Sequence, residues 1–516
     1  MKKLVILFSL ALSLVTVLCS CKDGTGKTET EKEGGSVVVG ITQDLDSLDP
    51  HKAVAAGTKE VLYNIFEGLV KPDKDGNLVP AVAESYEISE DGTEYRFVLR
   101  ENVKFHNGDT VTAADVVYSL KRCAGMLETS DPEVQVVAAL SVISTIETEE
   151  KDGRDVIVLH LSEPNTELIG LLTCSIIPED YDDQENNPVG TGPFSFVSYT
   201  PMDSFVMERF DDYWGDNAHL AEVTFSISED TDAAFLKLLA GSIDIFPYLT
   251  ADQASQLEGK YDIYEGEMSL VQALFLNNAV EPFDNVLVRQ AMCYAIDREE
   301  ILELLSGGAG SIIGSGMYSS FGLYYDAELE NAYEYNPEKA RELLTEAGYP
   351  DGFSFTIRIP SNYDFHMSTG EIIADQLKEV GITATIEPIE WATWLSEVYS
   401  GHDFEATIIG LDSQLAPSDI LKYYLAGSSK NFINFDNSAT AGDRSFNAVY
   451  EEAKASTDTE TKKELYTELQ EMLSDEAASV FLQSPALLVA VNPKLAGYTF
   501  YPVYVQDMAS VYYKTE

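Results

Sequence analysis

The sequence predicts an α/β or α+β protein built in more than one lobe, and three observations lead there. Strand and helix signals alternate along the chain without an internal repeat. Its 516 residues, at about 150 per domain, leave room for about three domains. Hydrophobic residues make up 45% and aromatic residues 10%, with 23 Phe and 28 Tyr, enough to fill a large core and too many for low-complexity disorder. Charge narrows the function classes. Against 87 Asp and Glu stand only 33 Lys and Arg, a formal charge of −54, and such a surface repels phosphate backbones and anionic headgroups. Nucleic-acid binding is excluded on this ground, while a solvated surface or a preference for cationic ligands both fit.

The elements follow in order. Lys2 and Lys3 precede an apolar run, Leu4 to Leu18, that is shorter than the ~20 residues of a spanning helix but suits a signal-peptide core. The run ends in Leu18-Cys19-Ser20-Cys21, which resembles a bacterial lipobox with Cys21 as the residue that becomes lipid-modified and N-terminal. Cys19 fits less well, because Leu18 would be its preceding residue. Residues 1–20 are thus expected to be a lipoprotein signal peptide, and the polar residues 21–35 a flexible tether. No later segment reaches 18 consecutive apolar residues, so the mature chain is expected to be tethered rather than embedded. With Cys21 lipidated, Cys123, Cys174 and Cys293 remain; an odd count excludes a disulfide framework but allows one bond, Cys123 to Cys174. Val37 to Ile41 reads as a strand, broken by Asp44 to Pro50. Val61, Leu62, Ile65, Phe66 and Leu69 recur at helical spacing, and the helix is expected to end in a turn at Lys71-Pro72 and Asp75-Gly76. Tyr86 to Ile88 and Tyr95 to Leu99, around Asp91-Gly92, predict a hairpin. Thr112 with Asp115 predicts a capped helix carrying Val116, Val117 and Leu120.

Several blocks together resemble a known family. They are Ala83-Glu84-Ser85-Tyr86 through Asp91-Gly92, Tyr95 to Arg100, Val103-Lys104-Phe105-His106-Asn107-Gly108, and Thr112 to Val116. Pro188-Val189-Gly190-Thr191-Gly192-Pro193-Phe194, Leu276-Asn277-Asn278, Pro282 to Asn285 and Val288 to Arg298 continue the series. In this order they resemble the family 5 extracellular solute-binding proteins, the oligopeptide, dipeptide and nickel binders of ABC importers. Read alone, Gly190, Gly192 and Pro193 suit a tight chain reversal. The resemblance implies a two-lobed periplasmic-binding-protein-like α/β fold with a hinge made of two strand crossings and an extra subdomain inserted in the first lobe. Lobe I would comprise residues 36–80, 190–268 and 484–516, the inserted subdomain residues 81–189, and lobe II residues 269–483.

Motifs for bond-making chemistry are not evident. Gly24 to Thr28 imitates the end of a P-loop, but the first required Gly would fall on Cys21. Ser315 lies between Gly314 and Gly316, yet Ile313 and Met317 stand where a nucleophile elbow needs glycines. The histidines, at 51, 106, 160, 219, 366 and 402, form no His-x-x-x-His pair, so each reads as structural or exposed. Paired carboxylates cannot be singled out among so many acids. No cofactor, no metal and no enzymatic activity are therefore expected.

Ligand contacts can be placed by resemblance. Trp391 follows an apparent strand and resembles the family's cleft-lining aromatic residue, with Trp394 as a second candidate; both also suit a core or interdomain position. Peptide-binding relatives carry, near Gly410 to Asp419, an Asp thought to hold the ligand's α-amino group. Here Asp412 is the candidate, although alignment from Gly410 selects Gln414 and alignment from Pro417 selects Ser413. Asp412 also reads as a turn or capping residue. His366 lies where oligopeptide binders place a His near the ligand's carboxyl end, or is an exposed loop residue, and no Arg follows it before Glu371 to clamp a dipeptide. The resemblance thus implies a monomeric, lipid-anchored binding protein at the membrane face, in the periplasm or outside the cytoplasmic membrane. It would capture a peptide by hinge closure and deliver it to the permease subunits of an ABC transporter. The alternatives are a binder of nickel chelate or another non-peptide solute, and an extracellular hydrolase.

Overall fold

The computed structural model describes residues 31–128, 131–361, 363–412 and 416–515. The leader, Cys21, residues 22–30 and the alternatives Ser413 and Gln414 lie outside the described residues. One long mixed sheet organises the chain. Its hydrogen-bonded order is Thr383–Ile389, Ser354–Pro360, Ala406–Leu411, Val271–Leu276, Val480–Val491, Ile245–Leu249, Ser36–Ile41, Glu222–Ile227, Ser204–Arg209 and Phe194–Thr200. Asp262–Glu267 and Gly310–Ile312 pair additionally with Val480–Val491.

Apolar side chains divide this sheet into two lobes. Buried residues between Val271 and Leu482 gather in two cores, around Phe432 and Tyr466 and around Phe283 and Ile357. Buried residues before Leu257 and after Val489 gather in separate cores. The strand Val480–Val491 belongs to both sides: Val480 and Phe481 pair with Leu274 and Ala273, while Ala486 to Val491 pair with Glu267 to Asp262. Where the chain passes between lobes the two crossings are bonded to each other, Met268 N–H donating to Pro485 O at 2.9 Å and Ser484 Oγ to Leu270 O at 2.9 Å. In the second lobe Ser354–Pro360 runs parallel to both its neighbours, so helix Asp364–Leu377 serves as the crossover to Thr383–Ile389.

A second, antiparallel sheet of order Ala83–Ile88, Glu94–Leu99, Arg154–Leu161 and Ile143–Lys151 covers its own core with helix Ala113–Cys123. The expected hairpin turns at Gly92, whose φ of 67° favours glycine. The expected cap is present: Thr112 Oγ1 accepts from Asp115 N–H while the Asp115 carboxylate accepts from Thr112 N–H.

Three expectations are corrected. The first helix is Ala56–Leu62 and does not continue to Leu69, although Ile65, Phe66 and Leu69 are buried. Carbonyls of Asn64 and Ile65 leave the helical ladder to accept from Phe194 N–H at 3.1 Å and Gly192 N–H at 2.9 Å, and Val70–Pro72 then pairs with Leu78–Pro80. Gly190 and Gly192 accordingly serve close approach rather than a reversal. A Cβ on Gly192 would stand 2.4 Å from Asn64 O, and one on Gly190 2.2 Å from Ile65 O. Finally, the flexible tether does not extend to residue 35. Glu31–Lys32 pairs with Tyr512–Lys514, Gly34 N–H donates to His219 O, and the Glu33 carboxylate meets Arg209 and His219. An edge strand and two cationic side chains give this segment partners that composition does not reveal.

Candidate ligand-binding cleft

The strand Ala406–Leu411 is buried almost throughout and delivers Asp412 to the gap between the lobes. Facing it is the helix Ala56–Leu62, which presents Lys59 and Leu62, followed by Tyr63. The C-terminal segment Val503-Tyr504-Val505 closes another side, and together they enclose a cavity of about 390 Å³. Lys59 has no carboxylate partner within bonding distance among the described residues, and its positive charge acts on Asp412 across the gap. Asp412 touches solvent, yet desolvation by the surrounding protein raises its carboxyl pKa, with Lys59 and Lys430 opposing the rise and Asp419 adding to it. The two observations agree, because a carboxylate in a narrow cleft loses bulk hydration while still reaching water. Beyond Leu171 lies a second hollow of about 430 Å³, lined by Glu167, Ser418, Asp419 and Lys422.

Beneath Lys59 the first lobe is rigidly wired. Glu60, the next residue, is buried and accepts from Tyr248 Oη at 2.6 Å; burial pushes its carboxyl up to about 7. Glu67 is buried and accepts from Trp214 Nε1 at 2.6 Å, Tyr213 Oη at 2.7 Å and Lys71 Nζ at 2.7 Å. Arg100 lies 4.2 Å above the Trp214 ring. Lys71 and Glu67 both reach the cavity wall, so one internal carboxylate holds the wall's second ammonium in place.

The remaining candidates from the sequence take different positions. Trp391 is 37% exposed, stacks on Trp394 with ring centroids 5.1 Å apart and meets Tyr363 edge-on at 5.6 Å. It does not line the cavity that holds Asp412. Trp394 is buried and its Nε1 donates to Thr407 Oγ1 at 3.0 Å, so it supports Trp391 from within the core. His366 is not in an exposed loop. It sits in the first turn of Asp364–Leu377, buried, with Nε2 accepting from Gly410 N–H at 3.2 Å and Nδ1 bonded to the Gln272 amide at 2.9 Å. Burial lowers its pKa to about 4, so the ring is uncharged at neutral pH and fixes the strand end two residues before Asp412. Sequence reasoning missed Lys59, Tyr63, Glu67, Lys71 and Tyr504. Only Glu67 and Lys71 left a local trace, the spacing of four that lets them pair.

A gap between two lobes, walled by opposite charges and aromatic rings, defines a cleft-type binding protein. The comparisons specify the class. Residues 77–432 match the model of "Bacterial extracellular solute-binding proteins, family 5 Middle", and the chain belongs to this family. It is 29% identical to the heme-binding protein A of Haemophilus influenzae over 95% of this chain and 96% of that one. Among solved structures, the ABC transporter substrate-binding protein CtaP of Listeria monocytogenes superimposes with a TM-score of 0.82 at 23% identity, covering 94% of this chain and 100% of that one. The periplasmic binding protein DppA of Helicobacter pylori, in complex with the peptide STSA, does so with 0.77 at 26% identity, covering 94% and 99%. These relatives are solute-binding proteins and not enzymes, and the family is extracytoplasmic.

Proposed function

We propose that the chain captures a short zwitterionic peptide in the interlobe cleft and delivers it to the permease of an ABC importer, held at the membrane by lipid on Cys21. Residues 36–80, 190–268 and 484–516 act as one lobe, carrying the subdomain 81–189, and residues 269–483 as the other. The observation that supports this reading is the opposed pair Asp412 and Lys59 on facing walls of one cavity. A free α-ammonium suits the partly desolvated Asp412 carboxylate, and a terminal carboxylate suits the Lys59 ammonium, which has no carboxylate partner among the described residues. The exposed Trp391 and Tyr363 form an apolar shelf outside that cavity, where side chains of varied shape are tolerated. Each wall contributes contacts that a ligand collects together only when the lobes approach, and that difference drives closure.

Calorimetric titration tests the assignment with a three- to five-residue peptide, its N-acetylated form, and the Asp412→Asn variant. Acetylation and the substitution should each weaken binding about ten- to a hundredfold, the range of a charge-assisted hydrogen bond. Combined, they should cost scarcely more than either alone, since both delete one interaction. Equal affinity for free and acetylated peptides would refute recognition of the amine. Additive losses would move that role away from Asp412.

A further inference from the structure

Cys123 is the last residue of helix Ala113–Cys123, and it shares one core and one cavity wall with Cys174, which follows the short helical turn Leu168–Leu171 and whose side chain interacts with its own. Both stand as free thiols in the core that also holds Tyr95, Phe97 and Leu120. Cys293, the third described cysteine, lies in a core of the other lobe, where its thiol faces Ser479 O and neither of the other two described cysteines is present. Among the described cysteines the pairing therefore has one solution. Environments differ within the pair. Cys123 is 3% exposed, whereas Cys174 is half-buried and both border the cavity that holds Asp412.

We infer that Cys123 and Cys174 are an oxidation site, forming an intrachain disulfide after export that staples the helix Ala113–Cys123 to the cleft wall. The oxidant is a disulfide of a protein or of a small thiol, as extracytoplasmic compartments supply. Cys174, the accessible member, attacks one sulfur of that disulfide as its thiolate; the S–S bond breaks and one thiolate leaves, taking up the proton Cys174 released. Cys123 then loses its proton and displaces the second thiolate from Cys174, which is protonated in turn. One S–S bond forms as another breaks, and two electrons pass from the protein pair to the oxidant, which departs as two thiols.

The segment on the Cys174 side explains what such a staple holds. Val70 N–H donates to Leu172 O at 3.5 Å, His51 Nε2 bonds Ser175 O at 2.8 Å, and Ile176 N–H donates to Glu67 O at 2.8 Å. Residues 172–176 are thus bonded to the wall that carries Glu67 and Lys71, and Cys123 is the point where the helix meets them. The disulfide closes a long loop, between 123 and 174, so it removes much freedom from the unfolded chain without adding a native contact.

Non-reducing peptide mass spectrometry tests the inference on full-length protein taken from its export compartment and alkylated at once. The expected result is a Cys123–Cys174 linked peptide lighter than its parts by two hydrogens, with Cys293 alkylated only after denaturation. Recovery of both Cys123 and Cys174 in alkylated form from that protein would overturn it. A second measurement reads stability: reductant should lower the melting temperature by roughly 5 °C in the natural protein and not in a Cys123→Ala, Cys174→Ala double variant. An unchanged melting temperature in the natural protein would also refute the staple. For the order of attack, Cys123→Ser treated with oxidised glutathione should carry glutathione on Cys174; a variant left unmodified there would overturn that order.

Discussion

Glu167 provides the sharpest test of lobe movement. It stands in the segment joining strand Arg154–Leu161 to the turn Leu168–Leu171, on the first-lobe side, yet its carboxylate is bound by the second lobe. Lys462 Nζ lies 2.7 Å away, Ser418 N–H donates at 2.9 Å, and Tyr466 Oη donates as well. The two charged side chains are only 8% and 7% exposed. Replacing Glu167 by Ala leaves the Lys462 ammonium in a desolvated place with Thr166 Oγ1, at 2.6 Å, as its remaining hydrogen-bond partner among the described residues. Stranding one charge of a buried pair costs about 3–5 kcal/mol. If the lobes separate on opening, the charge regains water there, so the open state escapes this penalty and the closed-to-open ratio falls about a hundred- to several-thousandfold. Small-angle scattering of the ligand-free variant should show a larger radius, and calorimetry a weaker apparent affinity, because the binding-competent population shrinks. Glu167→Gln, which keeps the shape and one acceptor, should fall between. A lower melting temperature with unchanged radius and unchanged affinity would refute the reasoning, since it would make the contact an internal brace that lobe motion never breaks.

Further expectations follow from other sites. Lys59→Met should weaken binding of peptides with a free carboxyl terminus about tenfold while leaving C-terminally amidated peptides unaffected, as calorimetry would show; equal effects on both would remove Lys59 from carboxylate recognition. Gly192→Ala forces a Cβ to 2.4 Å from Asn64 O and should destabilise the first lobe by about 1–3 kcal/mol in urea unfolding, a wild-type midpoint contradicting the close-approach account. His51, His106 and His366 are each held at about 4 by burial, so each contributes stability present above the unfolded value near 6.5 and lost as pH falls towards 4, about 3 kcal/mol apiece. Glu60, raised to about 7, works the other way, its contribution being present below about 4.5 and lost as pH rises through 7. Three imidazoles against one carboxyl predict a net fall in the urea midpoint from pH 6.5 to 4, and a level or rising midpoint would contradict it. Cys21→Ala should move the protein from the membrane to the soluble fraction, because lipid anchoring then lacks its attachment point.

Local chemistry was legible and distant geometry was not. The capped helix at Thr112, the hairpin at Gly92 and the strand at Val37 depend on a few neighbouring residues, so spacing alone located them. The first helix was read too long because Ile65, Phe66 and Leu69 keep a helical period, whereas the backbone there is claimed by Gly192 and Phe194 from far along the chain. Family resemblance brought Asp412 into consideration, but its partner wall consists of Lys59 near the start and Tyr504 near the end, and no window of sequence holds all three. His366 carried a ligand-like reading for a related reason. The family resemblance set it near the ligand's carboxyl end, and only the positions of Gln272 and Gly410 turn that ring inward.

The strand Val480–Val491, with one end in each lobe, also determines what can be measured. The two chain crossings lie side by side and are bonded to each other at Met268, Pro485, Ser484 and Leu270, so they act as a single pivot. Two bodies joined at one pivot, with each half-sheet held stiff by its ladder, have one dominant angle between them. If the lobes open as proposed, a single pair of spectroscopic labels placed on the exposed rims of the cleft, away from Lys59 and Asp412, reads the whole opening coordinate. The mean distance would report the angle, and the width of its distribution would report how stiffly one shared strand resists bending.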